Sequence, residues 1–181
     1  MSRQPFIPPK LPVKIDYNPL IDHITKAHRA IAGLDALLSA LPNPKLLGRT
    51  LQTKEAVLSS RIEGTQADMN DVFEYEALQD KKEDSEKKKD VHEILNYRKA
   101  LDLGIKELDK KPLSENLIKK LHFTLLKSGR GHNKAPGEFR KIQVYSGKPG
   151  ADIEHATFIP PKSNEIVPPF GNLEQYLNSN N

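Results

Sequence analysis

Apolar residues recur at three- and four-residue steps through Leu20, Ile21, Ile24, Ala27, Ile31, Leu34, Leu38 and Leu41. That spacing predicts an amphipathic helix of roughly six turns. Asn18-Pro19 supplies its cap and first-turn proline, and Pro42-Asn43-Pro44 ends it. A second helix is expected from about Leu46 to Glu63. Thr65, with Asp68 three residues on, reads as a capping box for a third helix over roughly residues 66–79. Asp90 and Glu93 repeat the cap pattern before Val91, Ile94, Leu95, Tyr97, Leu101 and Leu108, which mark a fourth. Gly104 inside it costs about 1 kcal/mol relative to Ala. Ser114 caps a fifth helix through Leu117, Ile118, Leu121, Leu125 and Leu126, which Gly129 and Gly131 terminate. Pro168 and Pro169 open a last short helix ending near Leu177.

Two stretches break this texture. Residues 1–17 contain Pro5, Pro8, Pro9 and Pro12 and favour an extended arm. Residues 132–165 lose the helical period but hold two β-prone runs, Ile142–Tyr145 and Ala156–Ile159. The turn-rich Ser146-Gly147-Lys148-Pro149-Gly150 lies between them, so a β-hairpin is expected there. Its connector is longer than the tightest hairpins allow.

Length, at 181 residues, permits one domain with a sizeable core, and 36% hydrophobic with 29% charged residues suits a soluble, helix-rich protein. The chain has no Cys, which removes disulfides, thiolate metal sites and a Cys nucleophile. No run has the length of apolar sequence needed to span a bilayer, and no signal-peptide apolar region opens the chain, so cytoplasmic residence is expected. The net charge of +4 changes little. Its densest basic run, Lys81 to Lys89, is interleaved with Glu83, Asp84 and Glu86, reads as a solvated linker and does not indicate nucleic acid. A DNA-associated helical protein would need a recognition helix rich in Arg, Asn or Gln on one side, and none is found.

The six His residues, at 23, 28, 92, 122, 132 and 155, show no metal-ligand helical spacing. Phosphate loops, dinucleotide fingerprints and nucleophile elbows are missing too. One pattern stands out. Ser59 precedes Glu63 by one helical turn, which puts both on one face, and Gly64 follows at once. Glycine reaches the left-handed geometry common at helix ends, so a single carboxylate is held where the helix stops. A plain acidic residue in a last turn gains nothing from the helix dipole.

Ser59-Ser60-Arg61-Ile62-Glu63-Gly64 resembles the inhibitory motif Ser/Thr-x-x-x-Glu-Gly/Asn of the Fic family, whose members transfer AMP from ATP to protein hydroxyls. The resemblance runs along nearly the whole chain. Ala27-His28-Arg29-Ala30 with Leu34-Asp35 is similar to the family's first amino-terminal helix, and Leu41-Pro42-Asn43-Pro44 to the loop after it. Asn96-Tyr97 with Ala100-Leu101 resembles the helix before the catalytic core. Leu121-His122, Gly129-Arg130-Gly131 and Pro136-Gly137-Glu138-Phe139-Arg140 resemble the first core helix and its exit, and Ala156-Thr157-Phe158-Ile159-Pro160-Pro161 the second strand of the flap. The family's catalytic loop, His-Pro-Phe-x-x-Gly-Asn-Gly-Arg, does not occur in the 181 residues. Pro169-Phe170-Gly171-Asn172 echoes it but lacks the histidine and the metal-binding acid, and it reads as a turn entering a helix.

The resemblance implies a mainly α Fic-type helical fold with one β-hairpin flap. Residues 1–110 would form the amino-terminal region with an inhibitory helix over about 46–64. Residues 111–181 would begin the core, with the flap over about 140–160. Glu63, supported by Ser59 and Gly64, would pair with an arginine of the catalytic loop and block the ATP γ-phosphate. A carboxylate and a phosphate compete for the same planar guanidinium fork. Ile142, Gln143, Val144, Tyr145, Thr157, Phe158 and Ile159 would dock a target segment by strand addition, with Glu138 and Arg140 anchoring the flap base. ATP and Mg²⁺ are implied for a complete protein, with no tight binding to this chain, no metal ligands and no catalytic residue in it. Protein hydroxyls, its own included, are the implied targets, a homodimer is allowed, and no membrane is involved. The chain by itself is expected to be inactive, as a portion cut before its chemistry. The alternative is a naturally shortened, non-enzymatic module that binds or inhibits another Fic protein.

Overall fold

A computed structural model describes residues 4–78, 86–128 and 131–179. Among them the α-helices, in chain order, are α1 Ile21–Ser39, α2 Pro44–Ile62, α3 Met69–Leu78, α4 Glu86–Leu108, α5 Glu115–Leu125 and α6 Val167–Asn178. Every helix expected from the periodicity is present, and the fold is mainly α-helical. Among the described residues no helix is long and apolar enough to cross a membrane.

The starts of the helices depart from expectation in an instructive way. A 3-10 turn, Asn18–Leu20, leads into α1, and the Asn18 N–H donates to Asp16 Oδ1 at 3.0 Å. That bond closes an Asx turn ahead of the helix, and the side-chain cap expected from Asn18 does not form. Asn43 caps α2 by accepting from the Leu46 N–H at 3.2 Å, with Pro44 as first helical residue. The segment that ends α1 therefore also begins α2. Asp68, not Thr65, caps α3. Its Oδ1 accepts from the Asp71 N–H at 3.0 Å, and Asp71 Oδ2 accepts from the Asp68 N–H at 2.9 Å, a reciprocal capping box. Helix α4 begins at Glu86, which places Asp90 and Glu93 within it rather than at its cap. Residues 79–85 of the expected linker lie outside the described residues, as do Gly129 and Arg130. Ser114 caps α5 as expected, accepting from the Leu117 N–H at 3.3 Å.

The chain forms two compact units that divide within α4, one of Lys14–Ile94 and one of Met1–Val13 with Leu95–Asn181. In the first, α2 packs on α3. Thr53, Ala56, Val57, Ala67, Val72, Val91 and Ile94 are buried, whereas α1 buries nothing. In the second, α5 packs on α6. There Phe139 and Phe170 meet edge to face at 5.4 Å, and Lys119 Nζ lies 4.8 Å from the Phe139 ring centre. Asn96, buried on α4, donates to Ser128 Oγ at 2.8 Å.

Among the described residues the expected hairpin does not form a ladder. A single antiparallel bridge joins Ser146 to Phe158, with the Ser146 N–H donating to the Phe158 carbonyl at 2.9 Å and the Phe158 N–H returning at 3.1 Å. Proline explains part of this, since Pro160 and Pro161 have no N–H to give a rung. The Gln143 side-chain amide fills the gap by donating to the Pro160 carbonyl at 3.0 Å. On the other side a 3-10 turn, Ile153–His155, capped by Asp152, takes up the residues that would have lengthened the second strand.

Candidate functional site

Helix α2 ends in a Schellman turn. The Gly64 N–H donates to the Arg61 carbonyl at 3.0 Å, and the Thr65 N–H reaches back to the Ser60 carbonyl at 3.1 Å. This closure needs a left-handed residue just past the cap, and Gly64 has φ +97°. Glu63 is the cap itself, exposed, with φ −85° and ψ 4°. The Ser59 hydroxyl donates to Glu55 Oε1 at 2.7 Å, one turn toward the amino terminus. A serine has one proton to give, so in this arrangement Ser59 has none for Glu63.

Residues after the turn fasten it. Thr65 is fully buried, and its hydroxyl donates to Glu93 Oε2 at 3.0 Å. The Gln66 N–H donates to Asp90 Oδ2 at 2.6 Å, and Gln66 Nε2 returns to the Gly64 carbonyl at 3.2 Å. One turn earlier on α4, Lys87 Nζ sits 2.5 Å from Asp71 Oδ1. Lys87, Asp90 and Glu93 recur at three-residue steps, so one stripe of α4 grips the segment that carries Glu63. The hydrogen bond from Lys87, helped by the Asp68 backbone, holds the Asp71 carboxyl below its usual range, and Asp71 in turn raises the Lys87 ammonium. Sequence reasoning assigned Thr65, Asp90 and Glu93 to capping boxes. The same three-residue spacing suits a tertiary clamp, and nothing local distinguishes the two.

The residues expected to dock a target belong to the other unit. Ile142, Val144, Tyr145, Thr157 and Phe158 are exposed, Gln143 is half-buried and Ile159 is buried. Tyr145 OH donates to the Ala151 carbonyl at 3.0 Å, closing the loop between the two runs. At the base, Arg140 Nη2 donates to the Pro161 carbonyl, and its buried Nε has no hydrogen-bond partner. His122 Nδ1 accepts from the Gly137 N–H at 2.9 Å, which fixes the exit of α5. Two features here escaped sequence reasoning. The Phe6 N–H of the amino-terminal arm donates to the Ile159 carbonyl at 2.8 Å. Asn172, in α6, holds the arm at Leu11 through both faces of its amide.

Among the described residues no three His, Asp or Glu side chains gather as a metal site.

No curated protein sequence matches the chain significantly. Residues 21–106 match the family model described as Fic/DOC family N-terminal. The match spans α1 to α4 and includes the Glu63 turn together with the α4 stripe that fastens it. By that match, residues 21–106 are similar to the amino-terminal region of Fic/DOC family proteins.

Proposed function

We propose that this chain is the regulatory and target-docking amino-terminal portion of a Fic-type protein adenylyltransferase acting in the cytoplasm. Such an enzyme moves AMP from ATP to a Ser, Thr or Tyr hydroxyl of a protein, its own or another's, with pyrophosphate leaving. Glu63 is the brake. Its carboxylate occupies the guanidinium of the catalytic loop that would otherwise orient the ATP γ-phosphate. The observation that carries this reading is the Schellman turn at Gly64, because it presents one carboxylate at a fixed helix end. The Thr65 and Gln66 bonds to α4 add rigidity, and a rigid carboxylate competes with phosphate at a smaller entropy cost. Ser59 contributes through Glu55, keeping the last turn ordered. Residues 142–145 and 157–158, with the Ile159 backbone, receive the target segment.

In a protein that joins this region to the catalytic loop, or in a mixture of this chain with a loop-bearing Fic protein, Glu63→Gly should raise ATP-dependent AMP incorporation. Removing one charge-assisted bond, about 1.5–3 kcal/mol, corresponds to roughly 10- to 150-fold. Equal labelling by parent and variant would end the inhibitory assignment. The turn acts alike in cis and in trans, so the mixing experiment also covers a chain that restrains another Fic protein, as a homodimer would.

A further inference from the structure

The amino-terminal arm is fastened at two points five residues apart. At the first, the Phe6 N–H donates to the Ile159 carbonyl at 2.8 Å, and the Phe6 and Phe158 rings sit 5.8 Å apart. At the second, the Leu11 N–H donates to Asn172 Oδ1 at 2.6 Å while Asn172 Nδ2 donates to the Leu11 carbonyl at 3.2 Å. The hydrogen bonds at both fastenings go to the arm's main chain alone. Ile159 offers a carbonyl, and Asn172 matches the N–H and C=O of one residue as a neighbouring strand would.

Between these points the arm crosses a groove. Ile7 to Lys10 face a cavity of about 480 Å³ walled by Pro161, Asn164, Pro168 and Pro169. On its other side, Pro5 borders a second cavity, of about 520 Å³, with Gln143, Ile153 and Asn164. The arm itself is lightly held, with Phe6 47% and Ile7 78% exposed. Phe158 turns its own N–H and C=O toward Ser146, so by strand alternation the Ile159 carbonyl faces the opposite edge. Pro160 and Pro161 then withhold any donor beyond Ile159, which keeps pairing at this edge short.

We propose that the Ile159 carbonyl and the Asn172 amide form a groove for an extended, proline-containing segment of a target protein, and that residues 5–11 are its built-in occupant. The occupant defines the ligand. It presents one free N–H for Ile159, an apolar and proline stretch that needs no hydrogen bonds, and an N–H/C=O pair five residues on for Asn172. A target segment must displace the arm, so the arm sets a threshold for docking. This inference rests on the reading of residues 142–159 as a docking segment, but its test does not use AMP transfer.

The probe is a fluorescent peptide of the arm's own sequence, residues 4–13, added to the full chain and followed by anisotropy. Phe6→Pro removes the N–H given to Ile159 and the ring against Phe158 while leaving the groove intact. That variant should bind the peptide at least roughly tenfold more tightly than the parent, the equivalent of one hydrogen bond of about 1.4 kcal/mol. Adding Asn172→Ala to Phe6→Pro should abolish the gain. In the parent, excess peptide should speed amide exchange at Phe6 and Leu11, a readout that needs no variant to fold. Equal binding by parent and Phe6→Pro, binding indifferent to Asn172, or unchanged exchange at the two amides would each overturn the groove. None of those results bears on Glu63, whose test is labelling, so the two readings fail separately.

Discussion

Helix α1 and the stretch from Thr65 to Ile94 belong to the same compact unit and differ in how their patterns meet burial. α1 has the cleaner apolar stripe, yet Ile31, Leu34 and Leu37 are 65%, 56% and 70% exposed. The Thr65–Ile94 stretch is more polar, yet Thr65, Val72 and Ile94 are fully buried. A periodic stripe identifies the face of a helix that suits burial. Whether that face is covered depends on long-range partners, and here these are supplied by polar groups. Thr65 to Glu93, Gln66 to Asp90 and Asp71 to Lys87 draw the chain after α2 onto α4, and the apolar residues between them are enclosed as a result.

The largest test of this contrast sets two isoleucines side by side. Ile94→Ala removes a fully buried side chain and should cost about 2–5 kcal/mol. Ile31→Ala on the exposed face should stay within about 0.5 kcal/mol. Urea midpoints at unchanged slope measure both, and a comparable loss at Ile31 would mean that the α1 face is covered in solution. A middle effect is expected at the clamp. Thr65→Val keeps the shape but takes the proton from Glu93, which should cost about 1–3 kcal/mol. Thr65→Ser should restore most of it, and failure to do so would assign the loss to packing. The smallest effect concerns pH. The Asp71 carboxyl is held low in the folded chain, so its contribution is fully present above the unfolded carboxylate range, near about 3.9. It fades as pH falls through the lower folded value. Asp71→Asn should therefore be less stable than the parent at neutral pH, and the gap should close in acid and narrow with salt, since Lys87 is exposed. A gap that persists at pH 2 would place the effect in the capping box instead.

The helices were legible because their apolar spacing survives in a single sequence, and the left-handed Gly64 because few other residues tolerate that turn. Asn43 and Ser114 show that caps are readable when the chain has one candidate. Thr65, Asp68, Asp90 and Glu93 show the converse, since several acids and hydroxyls at three-residue spacing serve a cap or a clamp equally well. The hairpin shrank to the Ser146–Phe158 bridge because β-prone composition does not count available N–H groups, and prolines had removed them. Asn172, read as part of a turn entering a helix, lies within α6, and its partner at Leu11 is 161 residues away. No local pattern reveals a contact at that distance.

That separation also orders events in time. Phe6 and Leu11 are synthesised long before the ribosome reaches Ile159 and Asn172, and the loop between them cannot close until both ends exist. During that interval the arm has no surface of its own to rest on, and the groove, once made, is open until the arm arrives. A newly made chain therefore passes through a period in which neighbouring arms, or other extended segments, can enter first.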